Sequence, residues 1–482
     1  MIKKNFLYSL IYQLLVIMLS LVTTPYLSRV LGAEAIGRYA YAHSITNYFL
    51  LFTMLGIPNL GNRSVAAVKG NRLRVDKVFS AIFRLQLLLF AVTSAGYILY
   101  CALYAPDRSI ASILYLYLLS ALFDISWLFF GLEEFKLTIT RNIIIKVMTA
   151  VCMFVYVKTP EHIYRYCLLI SLGTLLNQAY LWLFVRNYAT LKWEKPFVSN
   201  QYLQEICVLF IPILSLSVYK VMSKIMIGAM STYSQLGFFE NSERIITIPV
   251  SIFTALGAVM LPRISNMLSQ GGEQEASKYF RLSIKFVSFV GAAIAFGLMG
   301  TSDIFSIVYF GEAFAACGNI IACLSCSVIF MAWANVIRTQ YLIPKKRDKV
   351  YIISTLIGAC LNFVVNCILI PRLGSLGAAI GTVLAEAAVM VIQAFLIRRE
   401  INIFELVAKE IPQLLIGAVM MLAIRAIGQH LPASIGTLCI QVFSGAVIYL
   451  SLMLIYSIAT RDEMLTIFRK KHSPIHEQHP KR

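Results

Sequence analysis

MIKKNFLYSLIYQLLVIMLSLVTTPYLSRV, residues 1–30, decides the fold. It opens on Lys3 and Lys4 as an export leader does, but its apolar stretch outruns a leader's core of roughly 7–15 residues, and no small-x-small cleavage site closes it. It therefore reads as a first membrane span, since about 20 apolar residues at about 1.5 Å each cross the hydrocarbon core. Runs of the same kind recur along the chain as far as residue 458 and leave no room for a soluble domain. Their number, about 14, predicts an all-α integral membrane protein. Composition agrees, because 59% of residues are hydrophobic and only 13% charged, against about 25% charged in an ordinary soluble domain.

The net charge of +19 would suggest nucleic acid in a soluble protein, but here its distribution follows topology. An even number of spans puts both termini on one side, and alternating loops carry about 30 Lys and Arg on that side against about 7 opposite, which the positive-inside rule assigns to the cytoplasm. The opposite connections are only a few residues long, too short to build the polar loop that an outward-facing membrane enzyme would need.

SRVLGAEAIGRYAYAHSI (28–45) is echoed by SKIMIGAMSTYSQLGFFENSERI (223–245), and the spacing from Gly37 to Arg63 equals that from Gly237 to Arg263. A parallel repeat of this kind predicts two pseudo-symmetric six-helix lobes with cargo held between them. The expected divisions are an N-terminal lobe at 1–186, a linker at 187–205, a C-terminal lobe at 206–400, two extra helices within 401–460 and a basic tail at 461–482.

Charges left inside spans are costly and usually face a partner or a water-filled cavity. Lys220 and Lys224 share one helical face at i, i+4, concentrating positive potential, whereas Glu240 and Arg244 have the spacing of an intrahelical ion pair. Arg84 and Lys146 lie close enough to a span end to snorkel. With Arg29, Arg63 and Arg263 near span ends, these residues make a candidate cationic lining for an anionic cargo, because a buried anion needs compensation. Asp124, Glu386 and Glu240 are candidates for ion coupling. Pro25, Pro58, Pro212 and Pro249 mark kinks, and Gly377 with Gly381 forms a GxxxG packing seam.

Nothing in the sequence asks for a cofactor or a metal. There is no GxxxxGK[ST] phosphate loop. Cys323 and Cys326 lie within one span and read as packing residues, while His472, His476 and His479 sit in a tail suited to anionic lipid. His43, His162 and His430 are scattered and assemble no catalytic set.

TPYLSRVLGAEAIGRYAYAHSI (24–45), DISWLFFGLEEFKLTITRNIIIKV (124–147), the stretch from Tyr219 to Ser265 and LNFVVNCILIPRLGSLGAAIGTVLAE (361–386) together carry a resemblance. The chain resembles Wzx-type flippases of the polysaccharide biosynthesis family, in the larger group that holds multidrug and toxin extruders and lipid II flippases. The resemblance implies a MATE-like fold, a V-shaped cavity with lateral access between spans 1 and 8, and no enzymatic step. As cargo it implies undecaprenyl-pyrophosphate-linked oligosaccharide for capsule, exopolysaccharide or O-antigen, moved across the bacterial cytoplasmic membrane. The pathway's polymerase and glycosyltransferases are implied as partners. Asp124, Trp127, Gly131, Arg141 and Lys146 match one recurrent pattern of that family, and Arg244, Pro249, Pro262 and Arg263 another. Ser223 stands where relatives often carry an acid. The competing readings are a cation-coupled drug exporter of the same fold, which would favour an acidic aromatic pocket, a lipid II-type flippase, and a membrane enzyme that modifies polysaccharide.

Overall fold

The computed structural model describes residues 2–193 and 221–460, with side chains from residue 12 onward except position 14. Residues 194–205 of the expected linker, the start of the seventh span, Pro212, Lys220 and the tail at 461–482 lie outside the described residues.

All regular structure among the described residues is helical. In chain order the helices are α1 (Ile2–Met54), α2 (Ile57–Ala66), α3 (Arg72–Leu103), α4 (Arg108–Phe123), α5 (Ser126–Gly131), α6 (Phe135–Tyr156), α7 (Ile163–Ala179), α8 (Trp182–Tyr188), α9 (Val221–Met230) and α10 (Tyr233–Ser269). They continue as α11 (Glu273–Phe310), α12 (Cys317–Ile337), α13 (Asp348–Leu373), α14 (Ser375–Leu396), α15 (Ile403–Ala408), α16 (Ile411–His430) and α17 (Ile435–Ala459). Twelve helical stretches among the described residues are long and apolar enough to cross a membrane, and the chain is a multi-pass membrane protein.

α1 crosses twice. At 53 residues it would be about 80 Å long if straight, against a hydrocarbon core of about 30 Å, but Gly32 (φ 77°, ψ 171°) breaks it. Neighbouring contacts give the directions. Lys146 lies over Tyr12 and the Tyr26 hydroxyl donates to the Val157 carbonyl, so the first half runs alongside and parallel to α6. Thr53 meets Thr93, Thr46 meets Tyr97 and Arg38 pairs with Asp107, so the second half runs antiparallel to α3. The chain thus reverses at Gly32, where a positive φ suits glycine. With α1 counted twice, thirteen crossings lie among the described residues, and most of the expected seventh span lies outside them.

Polar side chains repair the breaks that function or topology imposes. α4 stops at Phe123 and α5 starts at Ser126, which strands carbonyls at membrane depth. Buried Gln86 of α3 donates to the carbonyls of Ala121 (2.6 Å) and Asp124 (3.0 Å), and Trp127 Nε1 donates to Gln86 Oε1 at 3.2 Å. Asp124 Oδ1 accepts from the Ser126 amide at 3.0 Å and from its hydroxyl, so this carboxylate caps α5. The Trp127 ring lies on Gly61 of α2, where a Cβ would come within 2.4 Å of it. Trp127→Ala is therefore expected to cost about 3–5 kcal/mol by cavity formation, read as a lowered thermal unfolding midpoint in detergent. An unchanged midpoint would show that the break is held elsewhere.

Helix contacts fall into two groups. α3, α4, α6 and α7 pack around α1, and α10 to α14 pack on one another. α16 and α17 lie against α11, where the Tyr449 hydroxyl donates to the Phe289 carbonyl (2.8 Å). The GxxxG seam is a close helix approach: a Cβ on Gly377 would meet the Leu369 backbone of α13 at 2.6 Å, and one on Gly381 the Asn366 side chain at 2.2 Å. Ser223 is buried between Asn362 and Asn366, 3.0 Å from each, so a neutral hydrogen-bonded trio occupies this position. Proline enters α1 at Pro25 and α10 at Pro249 and Pro262, whereas Pro58 sits in the first turn of α2.

Candidate functional site

The two groups meet where α1 turns at Gly32 and α10 begins, and the meeting is symmetric. A Cβ on Gly37 would lie 1.7 Å from the Tyr233 carbonyl oxygen, and one on Gly237 would lie 2.0 Å from that of Ala33. The positions in each pair are exchanged by adding 200, the lag of the sequence repeat. A second pair obeys the same rule: Asn241 donates to the Ser28 hydroxyl at 2.8 Å, and Gly228 lies against the Tyr41 ring. Arg29 Nη2 donates to the Val308 carbonyl at 2.7 Å and the Tyr309 hydroxyl to that of Leu21 at 2.7 Å, tying α11 to α1. This end of the molecule is shut.

One helical turn into α10 from that seam lies a charged cluster. Lys224 Nζ is 2.7 Å from both Glu240 and Glu243, and Arg244 is 3.1 Å from Glu240. Two cations and two acids sum to zero, with Glu240 shared between Lys224 and Arg244. The i, i+4 pair expected from sequence is thus present, and its acid also serves a second helix. The N-terminal group supplies aromatic walls. Tyr39 and Tyr166 lie beside Arg244, and His43 lies beside Glu240. Rings run from Tyr166 to Tyr39 (4.9 Å), Tyr39 to His43 (5.1 Å) and His43 to Tyr117 (4.9 Å). Asn47 bridges the last pair, 3.1 Å from His43 Nδ1 and 3.3 Å from the Tyr117 hydroxyl.

Tyr117 also lines a cavity of about 370 Å³ within the N-terminal group, between α1, α4, α6 and α7. Lys146 is its one charged lining residue, beside Ser20, Thr23, Thr149 and Asn177. A single cation among hydroxyl and amide groups can take an anion and hydrogen-bond a polyol. The described residues contain no group of three or more metal-ligating side chains.

The remaining residues singled out from sequence are dispersed. Arg29 caps the last turn of α11, and Arg84 is buried with Nε donating to the Ser80 carbonyl at 3.1 Å. Arg63 stands in the last turn of α2. Arg263 stacks on Tyr279 and donates to its hydroxyl. Asp124 caps α5, and Glu386 is buried on α14. The structure therefore gathers Lys224, Glu240 and Arg244, and places Lys146 in a cavity of its own. The aromatic partners Tyr39 and Tyr166 carried no sequence signal beyond their apolar surroundings, and His43 only that of an isolated histidine.

Helices crossing in this order, paired across a local twofold, define a fold known among membrane transporters. The structure superposes on a solved lipid II flippase MurJ, in its inward closed conformation, with a TM-score of 0.74 at 15% identity, over 94% of this chain and 99% of that one. An inward-facing multidrug resistance MATE family transporter aligns with a TM-score of 0.59 at 13% identity, over 80% and 95%. In sequence, the chain is 23% identical over 400 residues to a Shigella dysenteriae protein assigned to O-antigen transport, spanning 80% of this chain and 98% of that protein. The chain belongs to the polysaccharide biosynthesis protein family, whose model matches residues 2–268.

Proposed function

We propose that the protein is a flippase for lipid-linked oligosaccharide, and that it moves undecaprenyl-pyrophosphate-linked repeat units from the cytoplasmic to the outer leaflet of the bacterial cytoplasmic membrane. The observation that carries this reading is the Lys146 cavity, an open, largely apolar cleft between membrane-spanning helices in which one cation stands beside hydroxyl and amide groups. Lipid-facing surfaces have no use for such a cleft, whereas a phosphorylated sugar needs one. The family and the assigned role of the Shigella relative favour O-antigen precursors as cargo.

In this proposal the lobes are 1–186 and 206–400, with 401–460 as two added helices, and the seam around Gly37 and Gly237 faces outward. Both termini then lie in the cytoplasm, and the pathway's glycosyltransferases and polymerase are the expected partners. Rocking of the lobes would open the seam, while the polyprenyl tail stays in lipid. The neutral cluster of Lys224, Glu240, Glu243 and Arg244 would act as the latch between cycles, and Lys220, Asp124 and Glu386 remain candidates for cargo contact or ion coupling.

Reconstitution in proteoliposomes tests the reading. Lipid-linked oligosaccharide placed in the inner leaflet should become accessible to an external glycan-cleaving enzyme only when the protein is present. Lys146→Ala should weaken half-saturation by about 10–100-fold, the equivalent of one charge-assisted hydrogen bond at about 1.5–3 kcal/mol. Export of lipophilic cations without any glycan exposure would instead assign the chain to drug transport.

A further inference from the structure

By sequence, the connection between the two lobes begins at 187, and α8 ends one residue later at Tyr188. The chain does not leave the N-terminal group there. Ala189 is extended (φ −150°, ψ 154°), and the segment from it to Lys192 lies along the start of α3, at the end opposite the seam. The Thr190 amide donates to Asp76 Oδ1 at 2.8 Å and the Thr190 hydroxyl to Oδ2 at 3.0 Å. The Lys192 amide donates to Ser80 Oγ at 2.8 Å, and its ammonium stands 3.7 Å from Asp76. One turn before Asp76, Arg72 Nη2 donates to the Arg186 carbonyl at 2.7 Å.

Asp76 and Ser80 are four residues apart and so share one face of α3, and both are buried. Apolar contact already holds the segment, because Ala189 is buried and Leu191 packs against the cluster that includes Phe79 and Leu181. A buried carboxylate is a costly addition unless its bonds are strong. Here both oxygens go to one residue of the connection, and such charge-assisted bonds are about twice as strong as neutral ones. What they add to apolar contact is register, since an extended strand that slips by one residue turns every side chain to the other face.

We infer that Asp76 is a positioning residue for the transport cycle: with Ser80 it clips the connection to α3 as far as Lys192, so that the C-terminal group is tied to α3 and not to the end of α8. The inference rests on the alternating-access reading above. Released, Ala189 to Lys192 would add about 13 Å of slack, at about 3.3 Å per residue. With that slack the inner ends of the lobes separate without drawing on each other, the seam stays shut for longer, and the return step slows. The Lys146 cleft is lined from α1, α4, α6 and α7, so release leaves cargo affinity alone.

Hydrogen–deuterium exchange and proteoliposome flux of the full-length protein test it together. Asp76→Ala should speed exchange of the Thr190 and Lys192 amides at least about tenfold. Maximal flux should fall at least about threefold with half-saturation unchanged, more than the about 1.5-fold change in closure that lengthening a flexible loop by about a third would give. Thr190→Pro removes both bonds to Asp76 from the exposed partner, leaves α3 intact and should lower flux equally. Asp76→Cys with Thr190→Cys should be as slow, and bridging the two thiols with a short bifunctional reagent should restore flux, while neither single cysteine responds. Rescue without a carboxylate separates a clip from a side chain that only stabilises α3. Unchanged exchange, wild-type maximal flux with the segment released, or a confirmed bridge that leaves flux low would each overturn the proposal. If the wild type exposes no glycan, the flippase reading falls and the clip is judged at the seam. There Asp76→Ala should slow labelling of a Ser28→Cys probe by an impermeant maleimide, and an unchanged rate overturns the clip as well.

Discussion

Glu240→Gln is expected to lower the unfolding midpoint sharply and to abolish cargo exposure in proteoliposomes. The carboxylate stands 2.7 Å from Lys224 and 3.1 Å from Arg244, and it is the acid they share. Its loss leaves Lys224 with Glu243 alone and leaves Arg244 with only the neutral Tyr39 and Tyr166 beside it. The cluster is half-buried, with the Arg244 side chain 34% exposed, so removing the shared acid should cost about 1–3 kcal/mol, between the small worth of an exposed pair and the larger penalty of a fully buried one. The double variant Glu240→Gln with Lys224→Met removes one charge of each sign and should be less destabilised than the sum of its parts by about 1–3 kcal/mol. Strict additivity of the two substitutions would show that Lys224 and Glu240 are not coupled in the membrane.

The second large effect belongs to glycine. Gly237→Leu and Gly37→Leu each place a Cβ within 2.0 Å of a carbonyl oxygen on the opposing helix, a distance that no rotamer can relieve. Only separation of the helices accommodates it, so both variants should hold the shut end ajar. The expected results are faster labelling of a Ser28→Cys probe by a membrane-impermeant maleimide and a fall in flux of at least about tenfold, since alternating access requires that this end close. Wild-type flux with unchanged labelling would mean that the seam is not a gate. Folding is checked separately by elution volume, because the two leucine variants should insert normally.

Much of this was legible in the chain. Span number, the GxxxG seam and the Glu240 to Arg244 pair follow from periodicity within single helices, where a spacing of three or four residues is a distance. The lag of 200 was visible as a repeat. What was not legible depends on neighbours that come from elsewhere in the chain. Lys224 reads as one of two like charges on a face, yet Glu240 and Glu243 approach it from the following helix. Arg29 has the look of a cavity cation, but its guanidinium meets the end of a helix nearly 280 positions away. The stop at Asp124 was hidden because DISWLFFG is nearly as apolar as the span it interrupts, and the Gln86 amide and the Trp182 indole that bond its carbonyls come from other helices.

The contacts around Gly37 and Gly237 have a further meaning. Position 37 touches 233 while 237 touches 33, and 28 touches 241 while 228 touches 41. An interface in which i meets j and the copy of j meets the copy of i is isologous, the mark of a two-subunit assembly with a twofold axis. The single polypeptide thus carries, between its own two halves, the kind of joint that a symmetric homodimer forms between subunits. Because the halves lie on one chain, the two faces need not be identical, and a serine and asparagine on one side answer a glycine and tyrosine on the other. Gly37 and Gly237, each pressed against a backbone carbonyl of the opposite half, are the part of that joint with no room for a side chain on either side.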